Sequence, residues 1–192
     1  MVGNDIVDIH ETRRSSNWER PGFLQKLFTV KEQSLIATSN DPFVTLWRLW
    51  SMKESAYKVY IQAGGIRFFN PTKIECSLNS LKIGQVKIAA ITLKTKTSIQ
   101  ANYIYSTASE DCSTVVTRIF KLIESHPKKQ GLFMQEQLLY DYAKNYSLKL
   151  AHLQLKKLVT GVPVFYYKKK PLITSISITH HGKYGAYSFL KL

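Results

Sequence analysis

Three charged side chains near the start of the sequence could do chemistry together. Asp5 lies in a short apolar stretch, and Glu54 and Lys58 are four residues apart, which places them on one face of a helix. Mg²⁺ commonly uses one or two protein carboxylates together with water and phosphate oxygens, and a lysine can neutralise the same phosphates. These residue types predict magnesium-dependent transfer of a phosphate-linked group, with Asp5 and Glu54 as metal ligands.

The same residues also have a purely structural interpretation. A glutamate and a lysine at this spacing form a common surface ion pair, and a lone aspartate in a strand is often a solubility charge. Two tryptophans favour the chemical interpretation, because Trp50 shares the face of Glu54 and Trp47 lies close to it. A charged pair that continues an aromatic stripe is expected to line a cleft.

The elements that must position these residues can be predicted from caps and periodicity. Residues 1–9 alternate as a strand. Thr29 and Glu32 form a capping box that begins a helix over 30–38, which gives Glu32 the role of capping acid. Asp41 and a following proline begin a second helix that ends near 62, at two glycines.

The rest of the sequence is mainly β-like, with one further helix predicted over 135–146. This order of elements predicts an α+β fold of two similar units. The predicted strands cover 74–78, 86–93, 99–105, 114–120, 153–159, 164–167, 173–179 and 184–190.

Three short strings in the first half fit together in one order. They are GNDIVD at 3–8, FTVKE at 28–32 and WSMKESAYK at 50–58. The set resembles the 4′-phosphopantetheinyl transferase superfamily, whose members move the phosphopantetheine arm of coenzyme A onto a serine of a carrier protein. The resemblance implies magnesium as cofactor, coenzyme A as substrate and 3′,5′-ADP as product.

The resemblance also implies roles for individual residues. Asp5 and Glu54 match the two magnesium-binding acids, and Lys58 matches the lysine that contacts a coenzyme A phosphate. Lys53 belongs to the same string and is expected near the phosphates. Gly65 lies in a string similar to the glycine loop that follows this helix in the small holo-acyl-carrier-protein synthase type.

One position departs from the pattern of the larger, surfactin-type members. Val7 stands where those enzymes often have a second acid, so water, or Asp8 through water, is expected at the third metal position. The proton of the carrier serine needs a base, and either Glu54 or a metal-bound water could take it.

A string near the C-terminus resembles the other half of the larger type. Residues 161–163, Pro171 and residues 175–186 match that pattern, which in the larger type precedes the acidic motif. The resemblance implies a pseudo-dimer in permuted order, with units at 1–110 and 111–192 and the active site between them. Thr179 and His180 would then bind the 3′-phosphate or ribose of coenzyme A. The alternative is that His180 and His181 form a solvated pair or a weak metal site.

The charge of the chain indicates an anionic partner. The net charge is +14, and residues 1–75 carry 10 Lys and Arg against 8 Asp and Glu, whereas residues 76–192 carry 17 against 5. Such a field attracts anions. Coenzyme A and an acidic carrier protein both fit, and Arg13 and Arg14 are candidates for carrier docking.

Two other functions compete with the transferase. A nucleic-acid-binding module would use the basic half and its tyrosines for stacking, but the sequence has no RNP-like string, zinc finger or helix-turn-helix pattern. An inactive scaffold of the same fold is disfavoured by the intact Asp5, Glu54 and Lys58. Fatty-acid, polyketide and peptide synthesis all use carriers, and we expect a role of the fatty-acid type.

The remaining features predict a cytoplasmic monomer. Cys76 and Cys112 form no CxxC pair and no zinc pattern, as in reduced proteins. No apolar run reaches transmembrane length, and Asp5 interrupts any signal-peptide pattern. Two fused units would complete a cleft without a second copy.

Overall fold

A computed structural model describes residues 1–110, 114–123 and 126–191, so Cys112 lies outside the described residues. The first half contains one strand, four helices and then four strands. These are β1 (Val2–Asp8), α1 (Ile9–Ser15), α2 (Phe23–Leu27), α3 (Val30–Ala37), α4 (Pro42–Gln62), β2 (Ile74–Leu78), β3 (Ile83–Ile88), β4 (Ile91–Ile99) and β5 (Tyr103–Ser109).

The second half contains a helix between strands. These elements are β6 (Val115–Lys121), α5 (Pro127–Asn145), β7 (Leu153–Lys157), β8 (Pro163–Tyr167), β9 (Lys170–Pro171), β10 (Ile176–His181) and β11 (Tyr184–Leu190). The predicted α+β class is confirmed. Among the described residues, no helix is both long enough and apolar enough to cross a bilayer.

Helix α4 packs against a five-stranded antiparallel sheet in the order β1-β5-β4-β3-β2. The helix and β1 approach closely at Gly3, where a Cβ atom would overlap the backbone carbonyl of Ser55. Only glycine allows this approach without a shift. The contact fixes β1, which carries Asp5, against the helix that carries Glu54 and Lys58.

The second half contains two three-stranded sheets, β10-β11-β6 and β7-β8-β9. Each half has its own apolar core, one around Leu49 and Val59 and the other around Tyr142 and Phe165. A small cluster that includes Ile6, Tyr105 and Ala186 joins the two halves. Two cores agree with two units, but the boundary at 110/111 stays a prediction.

Several predicted boundaries were wrong for identifiable reasons. The apolar run 86–93 contains the turn between β3 and β4. Ala89 in this turn has a φ of 50°, and the sequence there has no glycine or asparagine, the residues that usually indicate such a turn. The run 99–105 contains the turn between β4 and β5. Helix α5 begins at Pro127, eight residues before the predicted start at 135, and the prediction missed its first turns because they are polar. Helix α1 occupies part of a predicted loop.

Candidate active site

Asp5 lies on β1 beside Lys58 of α4. The Lys58 ammonium is 3.6 Å from Asp5 Oδ1 and donates a 2.6 Å hydrogen bond to the carbonyl oxygen of Asn4. From the other half, the Thr179 hydroxyl donates to Asp5 Oδ1 over 3.2 Å. Ser51 donates to the Asp5 carbonyl at 3.3 Å. The Asp5 carboxylate of β1 is thus held by groups from α4 and β10.

Glu54 lies one helical turn before Lys58, and its carboxyl interacts with that of Asp5. Burial and then the charge of Asp5 raise the pKa of Glu54 to about 6, although Lys58 acts in the opposite direction. Burial also raises the pKa of Asp5, against the lowering effect of Lys58 and of hydrogen bonds from Thr179 and Ser51. A cation bound beside these two carboxylates would offset their mutual repulsion.

A divalent cation therefore fits the donor set of Asp5 and Glu54. Mg²⁺ takes hard oxygen ligands and often only one or two from the protein. Among residues 1–110, 114–123 and 126–191, no group of three or more His, Cys, Asp or Glu side chains is placed to hold a metal. Any remaining ligands at this pair would be water or substrate oxygens.

Three cavities meet at Glu54. The first, of about 270 Å³, is lined by Asp5, Trp50 and both His180 and His181. The second, of about 390 Å³, lies between α4, α5, β10 and the 157–163 segment, and is lined by Lys58 and His180 among others. The third, of about 520 Å³, is largely aromatic, with Trp50, Tyr57, Phe68 and Phe69.

His180 lines the first two of these cavities and lies with the acids of the other half. Burial lowers its pKa, and the positive charges of Lys58 and Lys157 lower it further. The structure therefore brings together Asp5, Glu54 and Lys58 with the two predicted residues of the second half, Thr179 and His180. The hydroxyl of Thr179 is directed to Asp5.

Lys53 is placed differently from its prediction. Its side chain is 1% exposed, and the ammonium donates to Glu32 Oε2 at 2.7 Å and to the carbonyls of Leu27 and Pro71 at 3.0 and 2.8 Å. An ammonium has three N–H donors, and all three are used. This geometry does not support the expected contact with phosphate, which stays a prediction: Lys53 joins α4 to α2, to the start of α3 and to the turn before β2.

Gly65 also has a structural place. Helix α4 ends with Gly64 at φ 86°, the Gly64 N–H bonds to Ile61 O at 3.1 Å, and the Gly65 N–H bonds to Tyr60 O at 3.0 Å. This is the Schellman arrangement that satisfies terminal carbonyls. A Cβ at Gly65 would overlap the Tyr60 ring. Its role in binding coenzyme A stays a prediction.

Both carboxylate oxygens of Asp8 accept hydrogen bonds from backbone N–H groups outside the three cavities. Its Oδ1 caps α1 by accepting from the Glu11 N–H at 3.0 Å, and its Oδ2 accepts from the Lys183 N–H at 2.9 Å. A carboxylate that caps a helix and binds a loop in the other half is a structural link. This geometry does not support Asp8 as a metal ligand through water.

A series of side chains on and beside β10 contacts the outer edge of β1, and sequence reasoning missed it. Ser175 and Ser177 accept from the N–H groups of Val2 and Asn4 at 2.7 and 3.0 Å, and His181 Nδ1 accepts from Asp8 N–H at 3.0 Å. We call Ser175, Ser177, Thr179 and His181 the β10 ladder. Its signal in the sequence is polar residues at every second position, which lie on one face of a strand.

Arg13 and Arg14 lie on α1, at the rim of the molecule. The Arg13 guanidinium lies 4.0 Å from the centre of the Phe43 ring, and Arg14 Nη2 donates to both carboxylate oxygens of Glu11 at 2.9 Å. Both side chains are exposed. They are accessible to a partner, and their role in docking stays a prediction.

Comparison with known proteins agrees with this site. A sequence model of the 4′-phosphopantetheinyl transferase superfamily matches residues 1–116, which include Asp5, Glu54 and Lys58. The chain therefore belongs to the 4′-phosphopantetheinyl transferase superfamily.

A more particular likeness is to a holo-acyl-carrier-protein synthase of Caldanaerobacter subterraneus subsp. tengcongensis. The two are 35% identical over 75 residues, which is 39% of this chain and 57% of that protein. The chain thus matches less than two thirds of the length of this relative.

Proposed function

We propose that this protein transfers the 4′-phosphopantetheine group of coenzyme A to a serine of an acyl or peptidyl carrier protein, in a magnesium-dependent reaction that releases 3′,5′-ADP. The observation that carries the proposal is the meeting of three cavities at Glu54, beside Asp5 and Lys58. A transfer enzyme must admit a donor nucleotide, the arm that moves and an acceptor hydroxyl. The three cavities provide one entry to Glu54 for each of these three groups.

The cavity between α4 and the 157–163 segment suits the nucleotide of coenzyme A. Lys58 and Lys157 provide positive charge, and His180 lies between the acids and this cavity. The low pKa of His180 keeps its ring neutral at pH 7, so it would bind a phosphate or ribose by hydrogen bonds. The aromatic cavity lined by Trp50 and Tyr57 suits the pantetheine arm, which is less polar.

Asp5 and Glu54 would hold the magnesium ion, which supplies charge stabilisation at the pyrophosphate when bound. Lys58 stabilises charge on the departing nucleotide. Glu54 would also be the base for the serine proton, because it is a carboxylate at the point where the three cavities meet. The serine proton would thus move to the Glu54 carboxylate as the new P–O bond to the serine oxygen forms and the pyrophosphate P–O bond to the departing 3′,5′-ADP breaks.

The acceptor is proposed to be an acidic carrier protein of the fatty-acid type, in the cytoplasm. The exposed Arg13 and Arg14 are the first candidates for its docking surface, with Arg14 exchanging its Glu11 partner for a carrier carboxylate. Opposite charges on the two surfaces would raise the association rate and make it sensitive to salt. The transferase is proposed to act as a monomer, because the second half already supplies Thr179 and His180 to the site.

Mass spectrometry of an apo carrier protein incubated with this protein, coenzyme A and Mg²⁺ tests the proposal. The expected result is a gain of one phosphopantetheine, lost with EDTA and in Asp5→Ala, and kept in the control Glu136→Ala, an exposed acid on α5. His180→Ala is expected to raise the coenzyme A requirement. No gain with several different carriers would contradict the proposal and favour the inactive scaffold.

A further inference from the structure

The packing of the two main sheets leaves part of the larger sheet uncovered. The three-stranded sheet β10-β11-β6 packs against β1 of the five-stranded sheet, and β6 is one of its two edge strands. Thr117 of β6 contacts Tyr105 of β5 through their hydroxyl groups, 3.4 Å apart. Beyond this contact lies a cleft of about 880 Å³, lined by β3, β4, β5 and β6. None of its lining residues belongs to the three cavities that meet at Glu54.

The wall of this cleft is a free strand edge. The Lys191 N–H bonds to Thr114 O and the Leu122 N–H bonds to Lys183 O, which fixes the phase of the hydrogen bonds between β6 and β11. Because antiparallel partners alternate, the odd-numbered residues of β6 direct their N–H and C=O groups away from β11.

These outward-directed residues are Val115, Thr117 and Ile119, the same three that line the cleft. No strand pairs with this edge within the part of the chain that the structure describes. An extended segment placed here could form backbone hydrogen bonds with the outward N–H and C=O groups of β6.

The floor of the cleft is positively charged and partly apolar. Lys82, Lys94 and Lys96 line it, and none of the Asp or Glu residues that the structure describes does. Neither Lys82 nor Lys96 forms an ion pair within 4.0 Å among the described residues. Ile83 and Ile99 are 44% and 38% exposed at the same place. The combination suits a segment that carries both carboxylates and apolar side chains.

We propose that this cleft is a docking site for an extended acidic segment of a partner polypeptide, which adds as a fourth strand beside β6. The main chain of that segment would pair with Val115, Thr117 and Ile119, and its side chains toward the floor would meet Lys82 and Lys96. A second copy of this chain fits poorly, because each copy carries a net charge of +14. The site goes beyond the proposed transferase function and does not depend on it.

Binding of a labelled ten-residue peptide of alternating glutamate and valine tests the proposal by fluorescence anisotropy. The expected result is saturable binding that Lys82→Glu with Lys96→Glu weakens at least tenfold. The matched control, Lys26→Glu with Lys128→Glu, changes the net charge equally at exposed positions elsewhere and should leave the affinity within about twofold. Equal weakening by both double variants would overturn the proposal, as would no binding at millimolar peptide.

Amide hydrogen exchange separates strand addition from simple charge attraction. Saturating peptide should slow exchange at Val115, Thr117 and Ile119 at least tenfold, because their N–H groups would become hydrogen bonded. Val115→Pro removes one outward N–H without breaking the β6–β11 ladder and should weaken binding. Binding without slower exchange would overturn the proposal. A single-stranded oligonucleotide that binds as tightly, with exchange unchanged, would reassign the cleft to nucleic acid and also overturn it.

Discussion

The buried ion pair between Lys53 and Glu32 offers the sharpest test of which charged residues are structural. Lys53 is 1% exposed and Glu32 0% exposed, and their charged atoms are 2.7 Å apart. Glu32 also accepts from the N–H groups of Thr29 and Cys76, each at 2.7 Å. Lys53→Met keeps the length of the side chain but leaves the Glu32 carboxylate buried without its counter-charge. Breaking such a pair costs about 3–5 kcal/mol.

Urea unfolding at pH 7, followed by tryptophan fluorescence, measures this loss directly. The double variant Lys53→Met with Glu32→Gln should recover only part of it. The amide removes the buried charge, but its single oxygen can accept from just one of the two N–H groups, which bond to different carboxylate oxygens. Lys31→Met is the matched control: its side chain is 85% exposed and lies 3.5 Å from Glu75, so its loss should be about 1 kcal/mol or less. Equal losses in the two single variants would refute the reasoning. So would an unchanged stability of Lys53→Met together with weaker coenzyme A binding.

Three further predictions concern the site and its support. Glu54→Gln should raise the free energy of unfolding by about 2 kcal/mol at pH 7.5 and leave it unchanged at pH 4. The folded state holds the Glu54 proton up to about pH 6, so the contribution of this group to stability rises as pH falls from 6. An equal effect at both pH values would contradict this. His181→Asn keeps an acceptor near the Nδ1 position for the Asp8 N–H, so it should retain the proposed Mg²⁺ binding, followed by tryptophan fluorescence. His181→Gln should lose Mg²⁺ affinity, and the reverse order would show that Nε2 matters instead. Gly3→Ala should destabilise by more than about 2 kcal/mol in the same urea assay, because its Cβ meets the Ser55 backbone; a neutral change would contradict it.

The elements with strong local signals could be predicted from the sequence. Helix α4 spans Pro42–Gln62 as expected, because Asp41 caps it, a proline begins it and two glycines end it. Strand β2 was also predicted at its observed bounds, since apolar and polar residues alternate there. The gathering of Asp5, Glu54 and Lys58 followed from the three strings and their resemblance to a family.

What could not be predicted depends on tertiary contacts. Lys53 and Glu54 are neighbours in the same string, yet one is buried with Glu32 and the other lines the cleft. Residue type does not show which of the two side chains is buried and which lines the active site, because that depends on the packing of α3 against α4. Likewise, the turn at Ala89 has no sequence signal of its own, because the pairing of β3 with β4 imposes its positive φ.

The β10 ladder explains why the acidic strand needs the second half of the chain. An edge strand with unpaired N–H groups is open to water and to pairing with other chains. On β1, Ser175, Ser177 and His181 accept from this edge, and Thr179 donates to Asp5 between them. One row of side chains therefore both closes the edge and fixes the orientation of a metal-binding candidate. If Asp5 and Glu54 bind a cation as proposed, substitutions in the β10 ladder should lower cation affinity more than they lower folding stability. Each substitution removes one contact near Asp5 and leaves both apolar cores intact.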